Sequence, residues 1–299
     1  MKKTILIISA LASLMLLSCT KVSKTVQAPK TAPVTYAGIR CSSLNIKPFP
    51  AIEPWTGYAK KMGSCFEGSI PTFVWIVGNI EGNSTTQSCV VNFPLSKKIK
   101  GVVDFPVDQN KEFLDNCDKN GYAVWLQVEP GDCDLVALAS ETMKRYKDHP
   151  SVKGFGVDVE WYCCGGEYDG TGKPLTDKIA KEIDVAIKKV DKRFNYFVKH
   201  WDYEWMPPTY RSDIIFVCDS QQHYSLNSMK KCFNEWGDYF APNTVMFQIG
   251  YEADKKIWSG YDNPPKELGS ILAEHAGPDQ HVGIIWVDFT LKNVMKKIK

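Results

Sequence analysis

Eight short apolar runs recur along the chain, and their number and spacing constrain its fold more than any other feature. Val, Ile, Phe and Trp dominate these runs, which is typical of β-strands buried on both faces. The runs are Thr35–Cys41, Thr72–Ile80, Ala123–Glu129, Val152–Trp161, Asn195–Asp202, Asp213–Ser220, Thr244–Tyr251 and Val282–Thr290. The pattern predicts a largely buried sheet of eight strands.

Helical patterns fill most of the intervals between these runs. Asp134–Lys147 and Thr176–Lys192 place apolar residues three and four positions apart, and each begins at a good N-cap residue. Weaker helical patterns cover Gln109–Asn120, Asn227–Tyr239, Pro265–His275 and Leu291–Ile298. Eight strands alternating with helices in about 265 residues predict an α/β fold, a single (β/α)8 TIM barrel over residues 35–299.

Two features of the layout refine this prediction. The segment from Gly78 to Asp108 is long and irregular, so we expect an inserted loop or hairpin there, near the mouth of the barrel. An open doubly wound sheet is the alternative architecture. No Gly-x-Gly-x-x-Gly follows the first strand, which weakens the dinucleotide-binding form of that alternative.

The N-terminus predicts export. A basic start, Met1–Lys3, precedes an apolar run from Ile5 to Leu17, which indicates a secretory signal peptide over residues 1–18. Leu-Leu-Ser directly before Cys19 resembles a bacterial lipoprotein signal, which implies lipid on Cys19 and attachment to a bacterial membrane, at the outer membrane or cell surface. An ordinary signal peptide with an incidental cysteine is the alternative. Residues 19–34 are polar and contain proline, and we expect a flexible tether.

Charge and cysteine spacing exclude several classes of protein. Without the two lysines of the signal peptide, 34 basic and 34 acidic residues remain, whereas a nucleic-acid-binding surface needs a basic excess. Nine cysteines follow Cys19 without a Cys-x-x-Cys or His-x-x-x-His spacing, so no metal site is predicted. Disulfides are compatible with an exported chain. No motif indicates a nucleotide, flavin or haem, and we expect no cofactor.

The fourth run ends in two carboxylates. Because strand side chains alternate between faces, Gly154, Gly156, Asp158 and Glu160 are expected on one face. Asp158 and Glu160 would then lie about 6–7 Å apart along the strand. In a parallel barrel the C-terminal strand ends form the active site. At this spacing one carboxylate can raise the pKa of the other, which favours a general acid.

Other predicted strand ends carry amides, carboxylates and aromatic rings. This mixture is suited to carbohydrate, because polar groups bind hydroxyls and flat rings cover the apolar face of a sugar. The predicted substrate-binding residues are Gln127, Glu129, Trp201, Asp219, Gln221, Gln248, Tyr251, Trp286 and Asp288. Taken singly, Trp201 or Trp286 could belong to the core, Asp219 could cap a helix, and Glu129 could begin a turn.

The fourth run also resembles the signature of family 18 glycoside hydrolases, the chitinases and endo-β-N-acetylglucosaminidases. Their Asp-x-x-Asp-x-Asp-x-Glu pattern falls on Lys153, Gly156, Asp158 and Glu160, with a matching flanking glycine at Gly154. The last two acids are kept and the first two are replaced. The resemblance implies a (β/α)8 barrel in which Glu160 protonates the glycosidic oxygen and Asp158 orients the N-acetyl group of the substrate.

Two further positions fit this resemblance. Phe216-Val217-Cys218-Asp219 keeps the Asp of the Met-x-Tyr-Asp motif that the family often has on strand six but lacks its Tyr, and Trp286 stands where the family often has a Trp at the end of strand eight. The short Asp-x-Glu pattern also occurs in other barrel glycosidases, including the lysozymes of family 25. If the substrate does not assist, a second carboxylate is needed, with Glu129 and Asp288 as candidates and Asp219 as a third.

Three functional hypotheses follow. The first is a surface-anchored glycosidase that cleaves N-acetylhexosamine-containing glycans, with Glu160 as general acid/base and Asp158 assisting. The second is a catalytically inactive barrel that binds glycans, motivated by Lys153 and Gly156 in place of acids. The third is a structural surface lipoprotein without a ligand. The expected partners are a glycan or oligosaccharide and a membrane, and not a nucleic acid.

Overall fold

The computed structural model describes residues 34–83, 86–165, 172–274, 276 and 279–298. The predicted signal peptide (1–18), the predicted lipidation site at Cys19 and the predicted tether as far as residue 33 lie outside the described residues. Thr31–Lys299 is one compact unit. Within the described ranges, no helix combines the length and the apolar character that crossing a bilayer requires.

The described residues contain ten strands, eight of which close into a parallel barrel. In chain order the strands are β1 (Val34–Cys41), β2 (Ile70–Asn83), β3 (Thr86–Val91), β4 (Val102–Asp104), β5 (Ala123–Val128), β6 (Val152–Asp158), β7 (Asn195–His200), β8 (Ile215–Cys218), β9 (Val245–Ile249) and β10 (Val282–Trp286). β1 pairs in parallel with both β2 and β10, and this double pairing closes the ring through β5, β6, β7, β8 and β9. The predicted TIM barrel is confirmed, and each predicted run overlaps one barrel strand.

Eight α-helices accompany the strands in the described residues. They are α1 (Trp55–Ser64), α2 (Lys111–Asn120), α3 (Leu135–Tyr146), α4 (Asp177–Val190), α5 (Leu226–Phe240), α6 (Lys255–Trp258), α7 (Pro264–Ala273) and α8 (Asp288–Val294). The Asp134 carboxylate accepts a hydrogen bond from the Ala137 amide at 3.0 Å, so the predicted N-cap of α3 is confirmed. The Thr176 hydroxyl caps α4 in the same way, at 3.3 Å from the Ile179 amide.

Two connections differ from the expected alternation. Helix α1 was not predicted, although Trp55, Ala59 and Met62 are buried at helical spacing. Between β7 and β8, residues 201–214 contain only one turn of 3-10 helix, Tyr203–Trp205. The loop predicted between 78 and 108 is a hairpin, in which β2 continues past the barrel and pairs antiparallel with β3, while β4 pairs with β3.

An apolar cluster fills the barrel below its C-terminal end. Its members are Val74, Ala123, Trp125, Phe197, Ile215, Val217, Met246 and Ile285. Two residues further along the same faces, Gln127 follows Trp125, Lys199 follows Phe197 and Gln248 follows Met246. The apolar cluster therefore supports a layer of polar side chains at the C-terminal strand ends.

Strand β6 packs closely on β7 at Gly156 and ends earlier than predicted. Phe197 occupies the space beside Gly156, where an added Cβ would lie 2.2 Å from the phenyl ring. The strand ends at Asp158, and Glu160 belongs to a turn of 3-10 helix, Val159–Trp161. The two carboxylates are therefore not successive residues on one strand face, because the backbone turns directly after Asp158.

Candidate active site

A cavity of about 430 Å³ opens at the C-terminal ends of the barrel strands. Its lining residues lie on four barrel strands, β1, β6, β7 and β9, and on the segments that follow β1, β5, β6, β8, β9 and β10. The lining residues are Arg40, Leu44, Glu129, Asp158, Glu160, Trp161, Lys199, Asp219, Gln221, Gln248, Tyr251, Glu252, Ala253 and Phe289. Five carboxyl groups and two cationic groups thus face a common space, so its electrostatic character is predominantly negative.

Lys199 lies at the centre of the charged floor. It projects from β7, and its Nζ lies 3.0 Å from Oδ2 of Asp158 and donates a hydrogen bond to Oδ2 of Asp219. All three side chains are buried. Gln127, from β5 beneath the cavity, also donates to Oδ2 of Asp158, at 3.2 Å. One oxygen of each aspartate is therefore held in place from below.

Arg40 is the second buried cation of the floor. Its guanidinium, on β1, lies 3.6 Å from Oε1 of Glu129 and 3.5 Å from Oδ1 of Asp288. Asp288 is fully buried and accepts hydrogen bonds from the amide and the hydroxyl of Ser42, at 3.2 and 2.6 Å. The guanidinium is thus held between two carboxylates, at the level of the cavity floor.

The two acids of the predicted pair have raised pKa values. Burial raises the pKa of Asp158 to about 7; Lys199 opposes this change, and the neighbouring carboxylates add to it. Burial also raises the pKa of Glu160, with Lys199 again opposing and Asp219 adding. No side chain among the described residues donates to the Glu160 carboxylate. Glu160 is therefore a carboxyl that can reach a ligand and that holds its proton more readily than an exposed glutamate.

Several buried polar atoms of the site have no hydrogen-bond partner within the described part of the chain. The acceptors are Oε1 of Gln127, Oδ1 of Asp158, Oδ1 of Asp219 and Oε1 of Gln248, and the donors are Nε and Nη1 of Arg40. Buried polar groups are nearly always satisfied in native proteins, so these atoms indicate binding of a polar ligand or water. Because acceptors outnumber donors, the complementary ligand is one rich in hydroxyl or N–H groups.

Seven of the predicted site residues line this cavity. They are Glu160, Asp158, Glu129, Asp219, Gln221, Gln248 and Tyr251. Gln127 lies directly beneath them and touches Asp158. Residues far apart in the sequence thus meet at one end of the barrel, as the strand-end argument predicts.

Three predicted substrate-binding residues lie elsewhere. Trp286, the last residue of β10, is fully buried on the outer face of the barrel, packed on Gly250, and its indole N–H donates a hydrogen bond to the Thr290 hydroxyl at 2.8 Å. The prediction for Trp286 is wrong in this structure, because alternation turns its neighbour Ile285 inward and the indole outward. Trp201 is exposed and stacks on His200 outside the cavity lining. Asp288 is outside the lining too, beneath Arg40.

Two groups of cavity residues were not predicted from the sequence: the two buried cations, Arg40 and Lys199, and the apolar residues at the rim of the cavity. Arg40 and Lys199 are isolated charges within otherwise apolar strands, and this is a usable signal, since such residues seldom stay buried without partners. The rim consists of Leu44, Trp161 and Phe289, of which Leu44 is 70% and Phe289 50% exposed. Nothing in their local sequence distinguishes these rim residues, because they lie on loops and a helix start.

One group of side chains among the described residues has metal-ligand spacing, and it lies away from the cavity. Asp115, Asp118 and His149 stand near the N-terminal end of β6. Their atoms have other partners: Asp118 accepts from Ser151 and contacts His149 at 2.7 Å, and Asp115 pairs with Lys111 at 2.7 Å. These three side chains are therefore engaged in hydrogen bonds and ion pairs near the opposite end of the barrel, and none of them lines the cavity.

Comparisons with known proteins add little to this picture. No protein-family model matches the chain, and neither does any curated protein. Among solved structures, a proposed alpha-L-fucosidase from Bacteroides thetaiotaomicron VPI-5482 superimposes with a TM-score of 0.45 and 11% identity, covering 95% of this chain and 98% of that one. A likeness at this level carries no conclusion about the cavity, so the function rests on the geometry of the site.

Proposed function

We propose that the cavity is the active site of a glycoside hydrolase in which Glu160 is the general acid/base. The observation that carries the proposal is the pair itself: Glu160 lines the cavity with a raised pKa, beside a buried Asp158 whose Oδ1 has no partner in the described chain. A carboxyl whose pKa is raised holds its proton more readily and can donate it to a leaving oxygen. The rim residues Leu44, Trp161 and Phe289 offer apolar surface for the face of a sugar ring.

The proposed substrate is an N-acetylhexosamine-containing glycan. Here the free Oδ1 of Asp158 would accept the acetamido N–H, which aligns the substrate's own carbonyl for attack on the anomeric carbon. This role follows the resemblance to family 18 glycoside hydrolases. The acceptor-rich floor supports it, since Asp219, Gln127 and Gln248 each have a further oxygen that accepts no hydrogen bond from the described residues.

If the substrate does not take part, another carboxylate must act as nucleophile or base. Of the three candidates, Glu129 and Asp219 line the cavity and Asp288 does not. Asp219 is bound to Lys199, and Glu129 pairs with Arg40 at 3.6 Å. Glu129 and Asp219 remain the candidates for the nucleophile or base, whereas Asp288 forms an ion pair with Arg40 and does not reach the cavity.

A glycan-binding protein without activity is the second candidate, and one observation favours it. Phe197 fills the space beside Gly156, so the supporting acid of the family 18 pattern has no room there. Lys199 pairs with Asp158 instead. A site whose aspartate is neutralised by lysine can bind hydroxyls and still lack the proton sharing that turnover needs.

The first experiment measures product release from N-acetylglucosamine oligomers, peptidoglycan fragments and N-glycans. We expect Glu160→Gln to reduce turnover by a factor of at least about 100, the usual contribution of a general acid. Glu204→Gln is the matched control, since Glu204 is exposed after β7 and lies outside the cavity lining. Full activity of Glu160→Gln would refute the assignment, and binding without product in the parent protein would favour the second candidate.

We also propose that the mature protein is exported and attached to a bacterial membrane through lipid on Cys19. The support is the sequence alone: a basic start, an apolar run and Leu-Leu-Ser-Cys. Cell fractionation tests it. The parent chain should require detergent for extraction, and Cys19→Ala should not; equal behaviour of the two would contradict lipid attachment.

A further inference from the structure

Lys199 is a buried cation for which the proposed chemistry has no direct use. Its ammonium lies within the barrel, between Asp158 on the adjacent strand β6 and Asp219 at the end of β8. A lysine is almost never fully buried unless it is paired. Here the pairing is double, and each partner keeps one oxygen, Oδ1, without a partner in the described residues.

Two alternative roles for a buried lysine fit the geometry less well. A lysine that forms a Schiff base must lose its proton, and neighbouring cations or apolar surroundings promote that loss. Lys199 has two carboxylates in contact instead, which stabilise its charged form. A purely structural ion pair would have its acceptors satisfied, whereas Asp158 and Asp219 line the cavity and each has a buried oxygen without a partner among the described residues.

We propose that Lys199 is a positioning residue: it holds Asp158 and Asp219 so that one oxygen of each is free for the ligand, and it sets the proton occupancy of Asp158. The hydrogen bond from Gln127 to Asp158 Oδ2, at 3.2 Å, acts from the same side. The Lys199–Asp158 pair lies next to Gly156, where the Phe197 ring leaves no room for an acidic side chain at position 156. Its catalytic meaning rests on the proposed glycosidase function, but the electrostatic claim does not.

The surroundings of Asp158 determine the expected directions. The titratable and charged groups that face it are Lys199, Asp219, Glu129 and Glu160, and Lys199 itself also faces Tyr251 and Arg40. Burial raises the pKa of Asp158, Lys199 opposes the rise and Asp219 adds to it. Removing the lysine should therefore raise that pKa further, and removing the Asp219 charge should lower it.

The test is a carboxyl 13C NMR titration of the purified, aspartate-labelled protein, with Asp158→Asn to assign the signal. We expect Lys199→Met to move the Asp158 midpoint upward by about 1–3 pH units and Asp219→Asn to move it downward. Lys199→Arg should keep the midpoint near that of the parent. Lys188→Met is the matched control, because Lys188 also bridges two aspartates, Asp184 and Asp213, at 2.9 and 2.6 Å, but outside the cavity.

Unchanged midpoints in both Lys199→Met and Asp219→Asn would overturn the proposal. If Lys199→Met does not fold, Asp219→Asn decides, since it retains the lysine and must still lower the midpoint. Hydrolysis gives a separate readout: the acidic limb of the pH–rate profile should move with the Asp158 midpoint in each variant. Absence of hydrolysis in the parent protein as well as in every variant would refute the glycosidase function and leave the titration result to stand by itself.

Discussion

At the scale of single residues, the contact between Gly156 and Phe197 decides which acids the site can contain. Phe197 on β7 faces Gly156 on β6, and its ring takes the volume that a side chain at 156 would need. Lys199 lies two residues later on the same face of β7 and pairs with Asp158. Phe197 thus fills the space beside Gly156 and places the following inward residue, Lys199, next to Asp158.

Truncating this ring should be costly. We expect Phe197→Ala to lower the free energy of unfolding by about 3–5 kcal/mol, since it removes a buried ring and leaves a cavity inside the barrel. Urea denaturation measures the change. Phe105→Ala is the control, because Phe105 is 43% exposed and its truncation should change stability by less than about 0.5 kcal/mol. Equal effects of the two substitutions would contradict the packing role of Phe197.

At the scale of secondary structure, local signals agree with the fold where helices begin. Asp134 is exposed and bonds the Ala137 amide, so its contribution to α3 comes from capping and little from burial. Ser225 and Ser228 form a reciprocal capping box at the start of α5. Both signals are readable in the sequence, because a cap depends on residues three positions apart.

We expect Asp134→Ala to destabilise the protein by about 1 kcal/mol through loss of the cap. Asp134→Ser should restore most of the loss, because its hydroxyl can accept from the same amide. Thermal unfolding of the three proteins provides the measurement. A loss in Asp134→Ser as large as that in Asp134→Ala would show that the effect comes from the Asp134 charge and that capping contributes little.

At the scale of the whole molecule, buried ionisable groups couple stability to pH in opposite directions. Asp158 has a pKa of about 7 in the fold against 3.8 ordinarily, so between these values unfolding releases a proton and rising pH favours unfolding. Burial lowers the pKa of His200 to about 4 from 6.5, so in that range unfolding takes up a proton and rising pH favours the fold. The two contributions partly cancel between pH 4 and 6.5.

Replacing Asp158 should expose the histidine contribution. We expect Asp158→Asn to show a steeper rise of stability from pH 4 to 6.5 than the parent, by up to about 1.4 kcal/mol per pH unit, the value for one proton. Urea midpoints at several pH values give the slopes. Asp148→Asn, at an exposed position, is the control and should keep the parent slope. Parallel slopes in Asp158→Asn and the parent would mean that Asp158 is ionised throughout the range.

The sequence by itself determined the barrel and the end at which its site lies. Eight apolar runs of strand length, separated by helical patterns, are a local signal, and the C-terminal strand ends follow from parallel closure. Asp158 and Glu160 could be predicted as site residues for the same reason, because Asp158 ends a buried strand and Glu160 lies in the turn that follows it.

Only the tertiary structure decided which side chains meet in the cavity. Strand alternation gives two faces, but the chain alone does not say which face turns inward. This choice buried Trp286 on the outer face of the barrel and brought Arg40 and Lys199 to the floor of the cavity. Lys199 pairs with Asp158 at the end of β6 and with Asp219 directly after β8, so its role depends on residues far apart in the sequence. Closure of the ring supplies those contacts, and no local pattern encodes a distance between segments that meet only when the barrel has formed.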